Sequence, residues 1–414
     1  MFKLTQYIQS SKLAYKIESY VTHIEQDPAH PTPSRASTPV LHTLLSFLLS
    51  LTNLSFEGRI FYQKEASPPD IQLSYLLLSP THAFSSIASS ARAVILAGGT
   101  MSPFEDYTAH LFPSLPAPRI TTLSCDHVIP PTNLSVWTLA ASPTTTFEFS
   151  FQRRADKAMI AQLGLVLLNV CSVVPDGVVV FFPSYGYLDE VVRAWQATAT
   201  WDRLASKKAV FRESKGGSSD DVLASYSAAI LSPGAKGALL LSVVGGKMSE
   251  GINFSDRLGR CVLIVGMPYP NINSPEWKAK TDYIESTTLS RLLPSSSHDN
   301  NTNNNNNNAT ATATTTAADT PQITKAKAQE EAKNAARSFY ENACMRAVNQ
   351  SIGRAIRHRN DYAAIVLVDR RYAAPRIRSK LPRWIAASME HDDSLGKVMG
   401  GLNTFFRGKR GLDG

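Results

Sequence analysis

The sequence predicts an α/β fold built on a parallel sheet. Four short apolar runs, at 177–182, 238–244, 260–266 and 363–368, have the length and composition of strands buried on both faces. Small or polar residues end these runs, and stretches of helical length separate them. Strands that alternate with helices in this way are typical of a doubly wound parallel sheet. We therefore expect one such sheet after residue 146.

Elements ahead of that sheet are predicted from apolar spacing and turn residues. Residues 1–25 have a helical pattern that is already running at Met1, which we interpret as a chain that begins in mid-domain. The acidic Glu18 favours an ordinary domain helix over a transit peptide. Further predicted elements are a helix at about 40–51, strands at 71–78 and 93–97, and a helix whose first turn holds Pro103.

Within and after the sheet region the remaining elements follow the same periodicities. The predicted helices are at about 155–171, near 188, at 221–231, from before 335 to about 358, and in a tail at about 384–407. A short strand is predicted at 207–211, and the Pro-, Ser- and Thr-rich residues 111–143 are interpreted as a connector. His127 lies in this connector, and nothing near it in sequence supplies a catalytic partner.

Composition excludes several classes of protein. With 414 residues the chain is long enough for two or three domains. No apolar run is long enough to span a membrane, because the best candidate, 41–54, is short and broken by Ser and Thr. The four cysteines have no C-x-x-C spacing, which predicts no zinc or iron–sulphur site and indicates reduced thiols in a cytosolic or nuclear setting.

The net charge of +8 is concentrated in one stretch. Residues 325–383 contain 14 Lys or Arg and 5 Asp or Glu, a surplus of +9. A basic surface of this kind suits a polyanion such as nucleic acid or nucleotide phosphates. A solvated charged face is the alternative.

The strongest candidate site is the stretch Gln350-Ser-Ile-Gly-Arg-Ala-Ile-Arg357. Arg354 and Arg357 are three apart, so we expect them on one face of a helix, with Gln350 one turn before Arg354. Gly353 leaves room for a phosphate or a second backbone. Two permanently charged, planar groups suit an oxyanion on phosphorus, although surface salt bridges are the alternative.

Three strand-end turns add candidates. Gly98, Gly99 and Thr100 follow the predicted strand at 93–97, and Ser184 and Tyr185 follow the strand at 177–182. Ser184 could bond a phosphate and Tyr185 could stack on a base, whereas structural turns are the alternative in both cases.

The third turn, Gly245-Gly-Lys-Met-Ser-Glu-Gly-Ile-Asn-Phe254, contains a Gly-Gly-Lys that is not a Walker A loop, because Met248 stands where Ser or Thr is required. Its polar residues Ser249, Glu250 and Asn253 are predicted to face a cleft.

Taken in order, these motifs resemble motifs III to VI of superfamily 2 helicases of the XPD-like group. The resemblance rests on G-G-T-M-S-P (98–103), P-S-Y (183–185), S-E-G-I-N-F (249–254) with G-M-P-Y-P-N (266–271), and Q-S-I-G-R-A-I-R (350–357). Asn253, where relatives have Asp, and the spelling around it resemble the Chl-type branch. The resemblance covers nearly the whole chain except a low-complexity insertion at 293–320, which is predicted to be disordered.

The resemblance implies a RecA-like (P-loop NTPase-type) helicase C-terminal lobe and a role for each site residue. Arg354, Arg357 and Gln350 would be catalytic at the γ-phosphate, and Glu250, Gly251, Asn253 and Gly353 would line the nucleotide. Gly99, Thr100, Ser184 and Tyr185 would touch DNA. No residue of this chain is predicted to bind a metal.

The resemblance also implies an ATP-dependent, 5′-to-3′ DNA helicase acting on single-stranded and forked DNA. It implies ATP and Mg²⁺ shared with the first helicase lobe, and a 4Fe-4S cluster that this chain would not bind. A nuclear location, cohesion and replication proteins as partners, and roles in sister-chromatid cohesion and chromosome segregation are further expectations.

Walker A, D-E-A-H and four-cysteine motifs do not occur in these 414 residues. We therefore expect a part of a longer helicase that hydrolyses no ATP by itself. The predicted divisions are an Arch-like helical tail at 1–70, the end of the first lobe with a connector at 71–145, and the second lobe at 146–292 and 321–414.

Two alternatives remain. One is a scaffold or nucleic-acid-binding protein that keeps the helicase fold without its motor activity. The other is an unrelated nucleotide-binding enzyme, against which the missing G-x-G-x-x-G argues.

Overall fold

The computed structural model describes residues 2–26, 37–52, 57–64, 71–251, 253–293, 324–390 and 394–409. The strands are β1 (Gly58–Lys64), β2 (Ile71–Leu77), β3 (Leu134–Leu139), β4 (Gly177–Phe182), β5 (Ala209–Arg212), β6 (Ala238–Val243), β7 (Cys261–Val265) and β8 (Ala363–Val368).

The helices are α1 (Phe2–Ser11), α2 (Leu13–Gln26), α3 (Ser37–Ser50), α4 (Thr81–Ser90), α5 (Glu105–Leu111), α6 (Lys157–Val173), α7 (Tyr185–Gln196), α8 (Thr200–Lys207), α9 (Ser219–Leu231), α10 (Lys247–Gly251), α11 (Pro275–Leu292), α12 (Lys325–Ile352), α13 (Pro375–Arg378), α14 (Arg383–Ala387) and α15 (Leu395–Lys409). Among these helices none is both long and apolar enough to cross a lipid bilayer.

The chain divides into two compact units. The first consists of Met1–Arg92, His110–Pro113 and Asn271–Phe339, and the second consists of Ala93–Ala109, Ser114–Pro270 and Tyr340–Gly414. Within the first unit, β1 and β2 form an antiparallel hairpin. The second unit contains the large sheet. The domain boundaries proposed from the sequence stay predictions.

A six-stranded, all-parallel sheet organises the second unit, in the order β3-β8-β7-β4-β6-β5. Its four central strands are buried along their whole length. Helices α6, α7, α8 and α15 cover one face, and α9 and α12 pack on the other. Continuous apolar runs are what a strand needs when helices cover both faces. The predicted α/β fold with a parallel sheet is confirmed.

One predicted strand is wrong. Residues 93–97 form no strand, and the Ile95 side chain is 87% exposed. An extended segment becomes a strand only when a neighbouring strand accepts and donates its backbone hydrogen bonds. No described strand pairs with this segment, so its apolar composition alone misled the prediction.

The interpretation of residues 111–143 as a connector missed β3, an edge strand of the sheet. Val136 and Leu139 of β3 are fully buried, and Val136 lies opposite Ile365 of β8. The Pro- and Ser-rich surroundings hid this short strand. The sequence analysis also did not predict β1, α4, α8 or α11.

Several helix ends differ from the prediction. The single helix predicted at residues 1–25 is divided into α1 and α2, because Lys12 interrupts it with a φ of +51°. The helical tail predicted at 384–407 is likewise divided into α14 and α15. Helix α12 ends at Ile352 rather than near His358. The predicted insertion at 293–320 lies outside the described residues beyond Leu293.

Candidate active site

The predicted arginines lie in a loop beside the amino ends of β7 and β8. The Arg354 Nη1 atom is 3.3 Å from the Oδ1 atom of Asn253, and Arg357 Nη2 donates to the same oxygen. Two guanidinium groups therefore meet at one amide oxygen, on a surface where Arg357 and Asn253 are exposed. We call these three residues the arginine fork.

Two guanidinium groups lie close together at the arginine fork, and the acceptor that they share is neutral. Burial, and then the neighbouring charge of Arg354, lower the pKa of the Arg357 guanidinium. An arginine nevertheless stays protonated at neutral pH because its ordinary pKa is above 12. Asn253 orients both groups and adds no negative charge of its own, and two planar cations in this arrangement suit an oxyanion.

The prediction that a helical face presents both arginines is wrong. Helix α12 stops at Ile352, and Gly353 and Arg354 form a turn. The Phe254 amide donates to the Arg354 carbonyl, over 3.2 Å, and fixes the loop to the segment that carries Asn253. A loop thus brings the arginines together. Ile352 and Ile356, on either side of Arg354, are buried.

Gln350 does not join the fork. Its side chain is exposed, and within the described residues it makes no hydrogen bond to either arginine. Glu250 and Gly251 lie at the end of α10, and the description does not extend to their side chains. The roles predicted for these three residues stay predictions.

The segment that carries Gly99 and Thr100 lies against the end of α12. A Cβ atom added to Gly353 would lie 3.1 Å from the Thr100 methyl group, whereas one added to Gly99 would meet nothing within 4 Å. The Asn349 side-chain amide donates to the Ser102 carbonyl over 3.2 Å. Gly353 therefore permits a close approach of Thr100, next to the arginine loop.

Further along this segment, one carboxylate binds α12. Asp106 accepts hydrogen bonds from Asn342 and Arg346, each over 2.8 Å. The first turn of α5 is thereby held on the helix that leads into the arginine fork.

Ser184 and Tyr185 lie elsewhere, at the carboxyl end of β4, and both side chains have structural partners. Ser184 caps α7 by accepting from the Tyr187 amide over 3.2 Å. The Tyr185 hydroxyl donates to Glu213 over 2.7 Å. Burial, followed by the hydrogen bond and charge of Glu213, raises the pKa of Tyr185 to about 12. Contact of either residue with DNA stays a prediction.

Glu213 is a buried residue that the sequence analysis did not single out. Besides Tyr185, it accepts from the Ser242 hydroxyl over 2.6 Å and from the amides of Val243 and Met248 over 3.2 and 3.4 Å. It therefore fixes the turn between β6 and α10. The only signal in the sequence that could have indicated Glu213 is its position directly after the short strand β5.

Asp256, His358 and Asp361 are the described group closest in geometry to a metal site, with ligand atoms within 4.8 Å of one another. The Asp361 carboxylate already accepts from four N–H donors. A cation would have to displace these donors, and His358 already bonds Asp256 over 2.8 Å. The group does not fit a Mg²⁺ ion.

The cysteines do not fit an iron–sulphur cluster either. Cys171, Cys261 and Cys344 are buried in α6, β7 and α12, whereas Cys125 is exposed. Burial raises the pKa of the Cys171 thiol to about 12 and also raises the pKa of the other two buried thiols. Cluster ligation needs thiolates that converge.

Residues 167–388 match the family model of the helicase C-terminal domain, and the match includes both arginines and Asn253. The chain belongs to this helicase family. Similarity to curated relatives extends over the whole chain, which confirms the predicted Chl-type resemblance. The identity to the ATP-dependent DNA helicase chl1 of Neurospora crassa is 51%, over 99% of this chain and 44% of that protein.

Two further relatives agree. The helicase CHL1 of Sclerotinia sclerotiorum is 46% identical over 99% of this chain and 50% of its own length. The helicase chl1 of Aspergillus clavatus is 47% identical over 100% of this chain and 54% of its own length. This chain therefore spans about half the length of the curated relatives it matches.

Among solved structures, an XPD helicase aligns with a TM-score of 0.49 and 20% identity, over 84% of this chain and 50% of that chain. The fold class of the helicase domain follows from its own sheet and from the family match.

Proposed function

We propose that this chain is the C-terminal motor lobe of an ATP-dependent DNA helicase, and that Arg354 and Arg357 act on the γ-phosphate of ATP. The observation that carries the proposal is the arginine fork, in which both guanidinium groups converge on Asn253 within a helicase C-terminal domain. The names of the three relatives, each an ATP-dependent DNA helicase, support the reaction class.

Phosphoryl transfer depends mainly on positioning and on stabilisation of developing negative charge. Two arginines that a neutral amide holds side by side supply that charge in a fixed geometry. Another lobe would supply the phosphate-binding loop and the carboxylates for Mg²⁺, because these 414 residues contain no Walker A or D-E-A-H motif. ATP would therefore bind between this chain and the first helicase lobe.

The proposal gives the remaining candidates their roles. Gly353 would let the nucleotide or Thr100 approach the loop, and Glu250 and Gly251 would line the nucleotide side. Gly99, Thr100, Ser184 and Tyr185 would form the DNA side of the lobe. The partner there is single-stranded or forked DNA.

Four further parts of the proposed function rest on the resemblance to Chl-type helicases. These are 5′-to-3′ polarity, a nuclear location, cohesion and replication proteins as partners, and a role in sister-chromatid cohesion. The iron–sulphur cluster of that group would belong to residues outside this chain.

The test is DNA-stimulated ATP hydrolysis by a fusion of this chain to the portion of the Neurospora crassa relative that it does not match. We expect Arg354→Ala and Arg357→Ala each to lower kcat by about 10²- to 10³-fold, the cost of removing one donor to a transition-state oxyanion. Arg357→Lys should not restore kcat, because an ammonium group cannot reproduce the planar geometry.

The matched control is Arg359→Ala, an exposed arginine two residues from the fork. It should change kcat less than about twofold, because an exposed charge outside the fork adds little. The chain by itself should show no DNA-stimulated turnover. Full activity of both alanine variants, or turnover by the chain alone, would refute the proposed function.

A further inference from the structure

We infer that Asp361 is a positioning residue, which sets the geometry of the arginine fork through the backbone of Arg357. The inference rests on the proposed function, because it concerns the same two arginines. Asp361 is 1% exposed and lies just before β8, where no motif of the sequence analysis included it.

The carboxylate of Asp361 accepts from two loops and two neighbours. Its Oδ2 atom is 3.3 Å from the Arg357 amide and 3.4 Å from the Asp256 amide. Its Oδ1 atom is 2.9 Å from the Tyr362 amide and 3.2 Å from the Arg260 guanidinium. Each oxygen therefore uses its two lone pairs on N–H donors.

These contacts join the two segments that form the fork. Asp256 is three residues after Asn253, the shared acceptor, and Arg357 is one of the two donors. A single oxygen atom of Asp361 holds the backbone of both segments. The distance between the Arg357 guanidinium and the Asn253 amide thus depends on this carboxylate.

Asp361 itself is held rigidly. The Arg260 guanidinium is buried, lies 3.7 Å over the Tyr362 ring and donates to the Tyr362 carbonyl over 3.2 Å. A buried acceptor whose partners cannot move transmits a small displacement to the loop rather than absorbing it.

Only an ionised carboxylate suits four N–H donors, because it is an acceptor at every lone pair. Asparagine would place an NH₂ group against at least one of these N–H groups. Burial, and with it the charge of Asp256, raises the pKa of Asp361, whereas the amide donors of Asp256 and Arg357 and the charge of Arg260 oppose that shift. Asp361→Asn keeps the side-chain volume, but it replaces one acceptor by a donor and removes the charge that pairs with the buried Arg260 guanidinium over 3.2 Å.

A displaced Arg357 should weaken contact with the transferring phosphoryl group more than ground-state binding of ATP. We therefore expect Asp361→Asn in the fusion to lower kcat by about 10- to 100-fold, the scale of a misplacement of about 1 Å. The KM for ATP should stay within about twofold.

A double-mutant cycle with Arg357→Ala tests whether Asp361 acts through that arginine. If it does, Asp361→Asn adds less than about twofold to the kcat loss in the Arg357→Ala background. Additive losses would overturn the inference, while full activity of both Arg354→Ala and Arg357→Ala would refute the proposed function itself. The two failures are thereby distinguishable.

The control variant is Glu341→Gln, which removes another buried carboxylate in the same unit. Glu341 is 4% exposed and pairs with Arg376 over 2.9 Å, twelve residues ahead of Gly353. Its loss should affect folding without lowering kcat per folded molecule. Equal kcat losses in both variants would show that Asp361 has only a structural role.

A second measurement needs no catalysis and uses the chain as it is. Asp361→Asn should speed hydrogen exchange in peptides covering 353–361 and 253–260, because the amides of Arg357 and Asp256 lose their acceptor. Glu341→Gln should leave these peptides unchanged. Unchanged exchange in Asp361→Asn would contradict the inference even if the fusion hydrolysed no ATP.

Discussion

Single buried carboxylates organise both ends of the parallel sheet. Asp361 joins the loops at the amino ends of β7 and β8, and Glu213 joins Tyr185 to the turn after β6. Each accepts several N–H or O–H donors, and leaving such donors unpaired costs about 1–3 kcal/mol each. Residues of this kind hold separate loops together through hydrogen bonds.

Alkaline pH tests the pairing of Tyr185 with Glu213. The pKa of Tyr185 is raised from an ordinary value near 10 to about 12. A raised pKa in the folded state means that stability is fully present below pH 10 and is lost as the pH rises from 10 through 12. Tyr185→Phe should therefore be less stable than the wild type at pH 8, by a margin that shrinks at pH 11.

Urea unfolding at the two pH values measures that margin, and Tyr62→Phe is the control because Tyr62 is 77% exposed. The control should show no such change in margin. A margin for Tyr185→Phe that does not vary with pH would show that the hydroxyl contributes nothing to the alkaline titration.

Among the elements, α15 shows how a helix without a functional motif supports the sheet edge. It packs on α6 and on β3. Gly401 faces Trp137 of β3, and a Cβ atom there would lie 2.0 Å from the Trp137 Cζ2 atom. The neighbouring Gly400 has open space around it. Glycine is therefore required at one position and dispensable at the next.

We expect Gly401→Ala to destabilise the protein by about 1–3 kcal/mol, the usual cost of overpacking. Gly400→Ala should stabilise it by up to about 1 kcal/mol, because alanine is the better helix former. Urea unfolding of both variants measures the change in the free energy of unfolding, which should be negative for Gly401→Ala and positive for Gly400→Ala. The same sign for both would show that α15 does not pack on Trp137 as described.

Prediction from the sequence succeeded best where local pattern and tertiary environment agree. The apolar runs of β4 and β8 occur at the predicted residues, because a strand buried on both faces must be apolar throughout. The run at 93–97 is also apolar, but no described strand pairs with it, and no local pattern reveals that lack.

At the site, the residue types were predictable but their geometry was not. Arg354, Arg357 and Asn253 were all candidates, and they do meet. The helix end at Ile352 was missed. The hydrogen bonds of Asp361 were also missed, because they reach partners as far as 105 residues away in sequence. Long-range acceptors of this kind leave no periodic signal.

Across the whole molecule, the basic stretch at 325–383 is less available than its charge count suggests. Arg346, Arg371 and Arg376 form ion pairs with Asp106, Asp369 and Glu341. Part of the surplus positive charge therefore stabilises the fold. At the fork, Arg354 and Arg357 share the neutral side-chain oxygen of Asn253 as an acceptor.

The most direct test of the central claim compares how tightly the fusion binds ADP with Mg²⁺ and ADP with Mg²⁺ and aluminium fluoride, which mimics the phosphoryl group in transfer. If the fork acts in the transition state, Arg357→Ala should leave the Kd for ADP within about twofold. It should weaken binding of the fluoride complex by about 10²-fold or more. Equal weakening of both complexes, or of neither, would contradict the claim that the arginine fork stabilises phosphoryl transfer.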